Sequence, residues 1–111
     1  MNGVSIVDSE SNRSKALVEG ALIQNRKQFL SFLQRRVSNP DFSEDIFQQF
    51  CLRALTGTST IRNPERIFAW LYRVLNNTLS DFFRYENRRQ RVESEYIRWL
   101  AEQGVTTEHD P

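Results

Sequence analysis

The stretch Phe68-Ala69-Trp70-Leu71-Tyr72-Arg73-Val74-Leu75-Asn76-Asn77-Thr78-Leu79-Ser80-Asp81-Phe82-Phe83-Arg84, followed by Arg88-Arg89-Gln90-Arg91, decides how the chain is read. It contains no Gly or Pro, and at about 100° per residue it sorts into two helix faces. Phe68, Leu71, Val74, Leu75, Thr78, Leu79 and Phe82 fall on one side. Arg73, Asn76, Asn77, Ser80, Arg84, Asn87 and Arg88 fall on the other, with Tyr72 and Phe83 on one border and Trp70 on the opposite border. A merely solvated face usually alternates Glu and Lys in i,i+4 pairs. This one offers Arg, whose forked donors suit phosphate, and Asn, whose adjacent donor and acceptor suit a base edge. The aromatic borders can stack on unpaired bases. Two readings stand side by side: a nucleic-acid face, and the solvated side of a helix in a bundle.

Outward from this stretch, the 111 residues are enough for one domain with its own core. Gly and Pro are few and helical periods dominate, so the expected class is all-α. The net charge of +1 is unevenly spread. Residues 61–91 carry seven basic side chains against three acidic, while 92–111 carry one against five. A basic segment beside acidic ones suggests a nucleic-acid face next to surfaces of another kind. The single Cys51 excludes an internal disulfide and is expected as a small buried hydrophobe in a reducing compartment. No apolar run approaches the roughly 20 residues of a membrane span and no signal peptide is visible, so the expectation is a cytoplasmic chain without membrane insertion.

The expected organisation is a flexible lead over 1–14, a helical domain over 15–91 and an acidic linker or tail over 92–111. A helix is predicted from Lys15 to Val37, with Gly20 separating a leading turn, and with Arg26, Lys27, Arg35 and Arg36 as a basic outer edge. Ser38-Asn39-Pro40-Asp41 is turn chemistry. The next helix, over Glu44–Leu55, is expected to be capped by Ser43 or Asp41 and to bury Ile46, Phe47, Phe50 and Ala54. Asp45, Gln48, Gln49 and Leu52 then face outward. Thr56–Thr60 is a small-residue loop, and Asn63-Pro64 opens the long helix. Glu93–Ala101 reads as a short extra helix ended by Gly104, with a tail beyond it. No catalytic constellation is present: His109 sits beside Asp110 in that tail, and no metal-ligand cluster, phosphate-cradling Gly-rich loop or nucleophile motif is found. The expectation is a non-enzyme without cofactors.

Ser43-Glu44-Asp45-Ile46-Phe47-Gln48-Gln49-Phe50-Cys51-Leu52-Arg53-Ala54 resembles the "AED-x-x-Q-E-x-F-x-R" helix of bacterial sigma factors. The Phe68–Arg84 stretch resembles their "aWLyriarN-x-x-D-x-xR" helix, and Leu22–Val37 is similar to the preceding "L-x-x-FL-x-R-R" helix. The match covers residues 16–91 in order, and the nearest group is the extracytoplasmic-function (ECF) class, region 2. The resemblance implies a compact three-helix bundle with a short extra C-terminal helix. It also implies that Asp45, Gln48, Gln49 and Leu52, with Arg53 nearby, dock on the β′ clamp coiled coil of core RNA polymerase. The loop Thr56–Asn63, including Arg62 and Asn63, would form part of a pocket for a flipped non-template base of the promoter minus-ten element. Asn77 matches the family's promoter-recognising asparagine, with Asn76 and Ser80 on the same face; Arg73, Arg84, Arg88 and Arg89 would hold phosphates. An anti-sigma factor is a further implied partner. Two departures are visible: Gln49 replaces the usual Glu, and Phe50 and Cys51 exchange the usual small and aromatic positions. Family members continue into a second helical domain, region 4, and 92–111 resembles the linker towards it. The alternative is a sigma-like interaction protein that binds polymerase or an anti-sigma factor without reading DNA; the Arg/Asn face argues against it.

Overall fold

The computed structural model describes residues 6–104, with side chains from residue 12 onward. The fold is all-α, with helices α1 (Ile6–Gln24), α2 (Arg26–Gln34), α3 (Pro40–Thr56) and α4 (Ile67–Glu102). Two 3-10 turns, Thr58–Thr60 and Pro64–Arg66, join α3 to α4. The chain divides after Leu79 into two units.

In the first unit, Val18 and Leu22 of α1, Phe29, Leu30 and Leu33 of α2, Ile46, Phe47, Phe50 and Ala54 of α3, and Trp70, Leu71, Leu75 and Leu79 of α4 form the core. The aromatic centre is Phe29. Its ring lies 5.1 Å from Phe50, edge to face, and 5.2 Å from Tyr72. Such pairs contribute about 0.5–1.5 kcal/mol each beyond area burial. The inward set on α3 is the one the helical period predicts.

Four local details differ from the sequence reading. Helix α1 begins at Ile6, inside the expected lead, while the remainder of that lead (1–5) and the expected tail (105–111, with His109) lie outside the described residues. The break before α2 falls at Asn25, not Gly20. The Asn25 backbone N–H and its Nδ2 both donate to the Ala21 carbonyl at 3.0 Å, so a side chain competes for the helical acceptor there. The cap of α3 is Asn39, whose Oδ1 accepts from the Asp41 N–H at 2.9 Å, with Pro40 as the first helical residue. Ser43 is displaced inward as a result and is fully buried, its hydroxyl without a partner among the described residues. Cys51, expected inside, is only half-buried.

Gly20 lies within α1, and a Cβ added there would meet nothing within 4 Å. Gly20→Ala is therefore expected to stabilise the fold by about 0.5–1 kcal/mol, because it restricts the unfolded chain and clashes with nothing. A melting curve that moves down would show that the position needs glycine for another reason.

The second unit, from Ser80, continues α4 to Glu102. The expected short helix over 93–101 is the end of α4, since no Gly or Pro interrupts the run before it. Gly104, with φ of 78°, stops the helix in the left-handed conformation that glycine adopts without strain.

Candidate nucleic-acid interface

A cleft of about 930 Å³ lies between the α3–α4 connection and the start of α4, with Arg62, Asn63, Arg66, Trp70 and Arg73 among its walls. Its shape depends on one short relay. The Trp70 Nε1–H donates to the Thr60 Oγ1 at 3.1 Å, and that hydroxyl donates to the Gly57 carbonyl at 2.7 Å. Gly57 fits because a Cβ there would come within 3.0 Å of the Arg53 carbonyl and 3.5 Å of the Trp70 ring. Trp70, placed by periodicity on a helix border, is thereby drawn inward to 8% exposure, while Phe68 is left 46% exposed.

Asn63 accepts from the Glu65 N–H at 3.2 Å, which starts the turn before α4. Its carboxamide oxygen thus serves as a cap, and its amide nitrogen is the group available to a ligand. Three guanidinium groups, those of Arg62, Arg66 and Arg73, make the cleft electropositive. Arg66 was not singled out from sequence; its spacing of four from Arg62 across Asn63-Pro64 is the signal that could have found it. The structure thus brings Arg62, Asn63 and Arg73 together at one cleft. Asn76 and Asn77 are exposed on the same helix within the first unit.

In the second unit Ser80, Arg84, Arg88 and Arg89 are all exposed. Arg84 pairs with Asp81, and Arg89 pairs with Glu86 at 3.2 Å. Exposed pairs one turn apart contribute only tenths of a kcal/mol, so a phosphate can displace them. Arg88 has no ion pair among the described residues.

On α3, Asp45, Gln48, Gln49 and Leu52 form one outward strip, with Leu52 57% exposed. Arg53 stands at the edge of that strip. Its guanidinium reaches towards Thr78 on α4, at 3.5 Å from the hydroxyl. Beside the strip, Arg26 pairs with Glu44 at 3.3 Å and lies over the Phe47 ring, 5.3 Å from its centroid. Burial pushes the Cys51 thiol above its ordinary pKa, an effect that the nearby Arg26 charge partly offsets. The thiol is therefore neutral at physiological pH.

A family model described as Sigma-70 region 2 matches residues 22–89. The chain belongs to that family. It is 32% identical over 88 residues to RNA polymerase sigma factor SigV of Bacillus subtilis, a match covering 79% of this chain and 53% of the relative. It is 25% identical over 88 residues to a protein named probable RNA polymerase sigma factor from Haemophilus influenzae, covering 79% and 45%. The chain spans about half the length of these curated relatives. No solved structure matches it significantly. Among the described residues, no helix is long and apolar enough to cross a membrane.

Proposed function

We propose that the chain is the region 2 part of an ECF-type RNA polymerase sigma factor, which binds the β′ clamp and recognises and opens the promoter minus-ten element. The observation that carries this reading is the electropositive cleft at Trp70 beside the exposed Arg73, Asn76 and Asn77, in a member of the sigma-70 region 2 family. The sigma-factor names of the two relatives point the same way. In this reading a non-template base that has left the stack enters the cleft, walled by Trp70, and is read by hydrogen bonds from Asn63 and from the asparagines of α4. Arg62, Arg73, Arg84, Arg88 and Arg89 hold phosphates, and Ser80 adds a hydroxyl. The α3 strip Asp45, Gln48, Gln49 and Leu52, with Arg53 at its edge, is the clamp surface. The domain catalyses nothing itself. It works in the cytoplasm, with core RNA polymerase, promoter DNA and an anti-sigma factor as partners.

A pull-down with core RNA polymerase tests the clamp surface. Asp45 is exposed, so Asp45→Arg is expected to leave the helical circular dichroism spectrum intact and to weaken capture by about tenfold or more, because charge reversal in a complementary interface is repulsive. Equal capture of wild type and variant would remove this surface from the clamp.

A further inference from the structure

A second cleft, of about 420 Å³, lies between α2 and α4 and is lined by Lys27, Gln28, Ser31, Phe32, Arg35 and Tyr72. Four of its six lining residues come from one side of α2, and Arg35 follows directly after that helix. Tyr72, on α4, stands on the border of that helix's polar side opposite to Trp70. The two clefts therefore flank the same polar side of α4 within the first unit, one on each shoulder of a helix about 10–12 Å across.

The charges here are unlike those of a solvated face. Helix α2 and the two residues after it carry Arg26, Lys27, Arg35 and Arg36 and no acid. Arg26 is paired with Glu44. Arg36 is folded back, 3.5 Å from the Phe32 ring centroid and donating to the Phe32 carbonyl at 2.9 Å. Lys27 and Arg35, the two cations that line the cleft, have no ion pair among the described residues. Lys27 also sits in the first turn of α2, where the helix dipole disfavours positive charge. Between these cations lie the rings of Phe32 and Tyr72, 5.5 Å apart and edge to face.

We propose that this cleft is a second nucleotide subsite, holding single-stranded nucleic acid that has crossed the polar side of α4 from the Trp70 cleft. The inference rests on the function proposed above. Lys27 and Arg35 are eight residues apart, about 12 Å along the helix axis. At that spacing on the lining of one cleft, each can take its own phosphate. The intervening base lies against Phe32 and Tyr72, with Gln28 and Ser31 as hydrogen-bonding groups.

Phosphate contacts are independent of sequence, so the test needs no promoter. The full chain is titrated by fluorescence anisotropy with oligo(dT) of about 12 nucleotides over a salt series. The Lys27→Ala/Arg35→Ala double variant is expected to bind more weakly, with the slope of log K against log salt reduced by about 1.4, or 0.7 for each phosphate lost. Arg13→Ala, an exposed change on α1, controls for bulk charge and is expected to leave the slope unchanged. A double variant with wild-type affinity and slope, while Arg73→Ala is weakened, overturns the subsite and leaves the α4 reading standing. A loss no larger for the double variant than for Arg13→Ala also overturns it. If the chain alone binds no oligonucleotide, the same comparison is made with the chain bound to core RNA polymerase, and absence of binding there overturns both readings.

Discussion

Replacing Phe50 by Ala is expected to destabilise the first unit by about 3–5 kcal/mol, the usual cost of emptying a fully enclosed aromatic site. Phe50 has no exposed surface and contacts Phe29 at 5.1 Å and Phe47 at 6.0 Å between ring centroids. Losing the ring leaves Phe29 without its edge-to-face partner on α3, and the neighbouring helices relax only partly into the space. Urea unfolding followed by circular dichroism reads the effect as a lower midpoint. Cys51→Ala, one residue on and at the rim, gives the contrast: its loss should be well under half as large. Similar losses at the two positions would mean that α3 is rotated about its axis relative to the arrangement described. The comparison also addresses the exchanged aromatic and small positions of this helix, because the structure assigns the aromatic residue to the interior and the thiol to the edge.

A second large effect is expected at the proposed DNA surface, where two kinds of variant should differ in character. Asn77→Ala is expected to cost about 1–3 kcal/mol on the preferred strand and much less on a scrambled one, as for a bidentate base contact. Arg88→Ala is expected to weaken binding to every single strand alike and to flatten its salt dependence. The preferred strand comes from selection on a random pool with polymerase-bound protein, and the same complex is then used for titration. Binding should favour the non-template strand or a bubble over closed duplex. If Asn77→Ala lost equal affinity on matched and scrambled strands, Asn77 would position the strand without reading it.

The inward set of α3, Ile46, Phe47, Phe50 and Ala54, was legible because a helical period is a local property that packing reinforced. The break at Asn25 was not. Gly20 carries the stronger breaking tendency, yet a glycine in open space is tolerated, and the outcome turned on one carboxamide finding the Ala21 carbonyl. The continuity of α4 was obscured by a change in composition near residue 92 that alters charge but not helix-forming tendency. Arg73 could be placed on the polar face of α4 by the helical period, and Arg62 and Asn63 came from the resemblance of the loop before it; that the three line one cleft is a matter of packing. The resemblance allowed Trp70 to be partly core, but periodicity alone put it on a border, since its burial depends on Gly57 and Thr60 across the connection. The α2–α4 cleft was hidden for the same reason: Lys27 and Tyr72 become neighbours only through the packing of Phe29 and Phe32.

The hydrogen bond from Trp70 to Thr60 has an optical consequence. The chain contains two tryptophans. Trp70 is 8% exposed with its indole N–H engaged, whereas Trp99, on the C-terminal part of α4, is 53% exposed. Iodide and acrylamide reach the second indole freely and the first hardly at all, so the emission separates into a quenchable and a protected component. The protected component belongs to the wall of the cleft proposed to take a base, and a change in it on adding a strand would report occupancy there without a dye or label. Trp99→Phe leaves that signal alone in the spectrum.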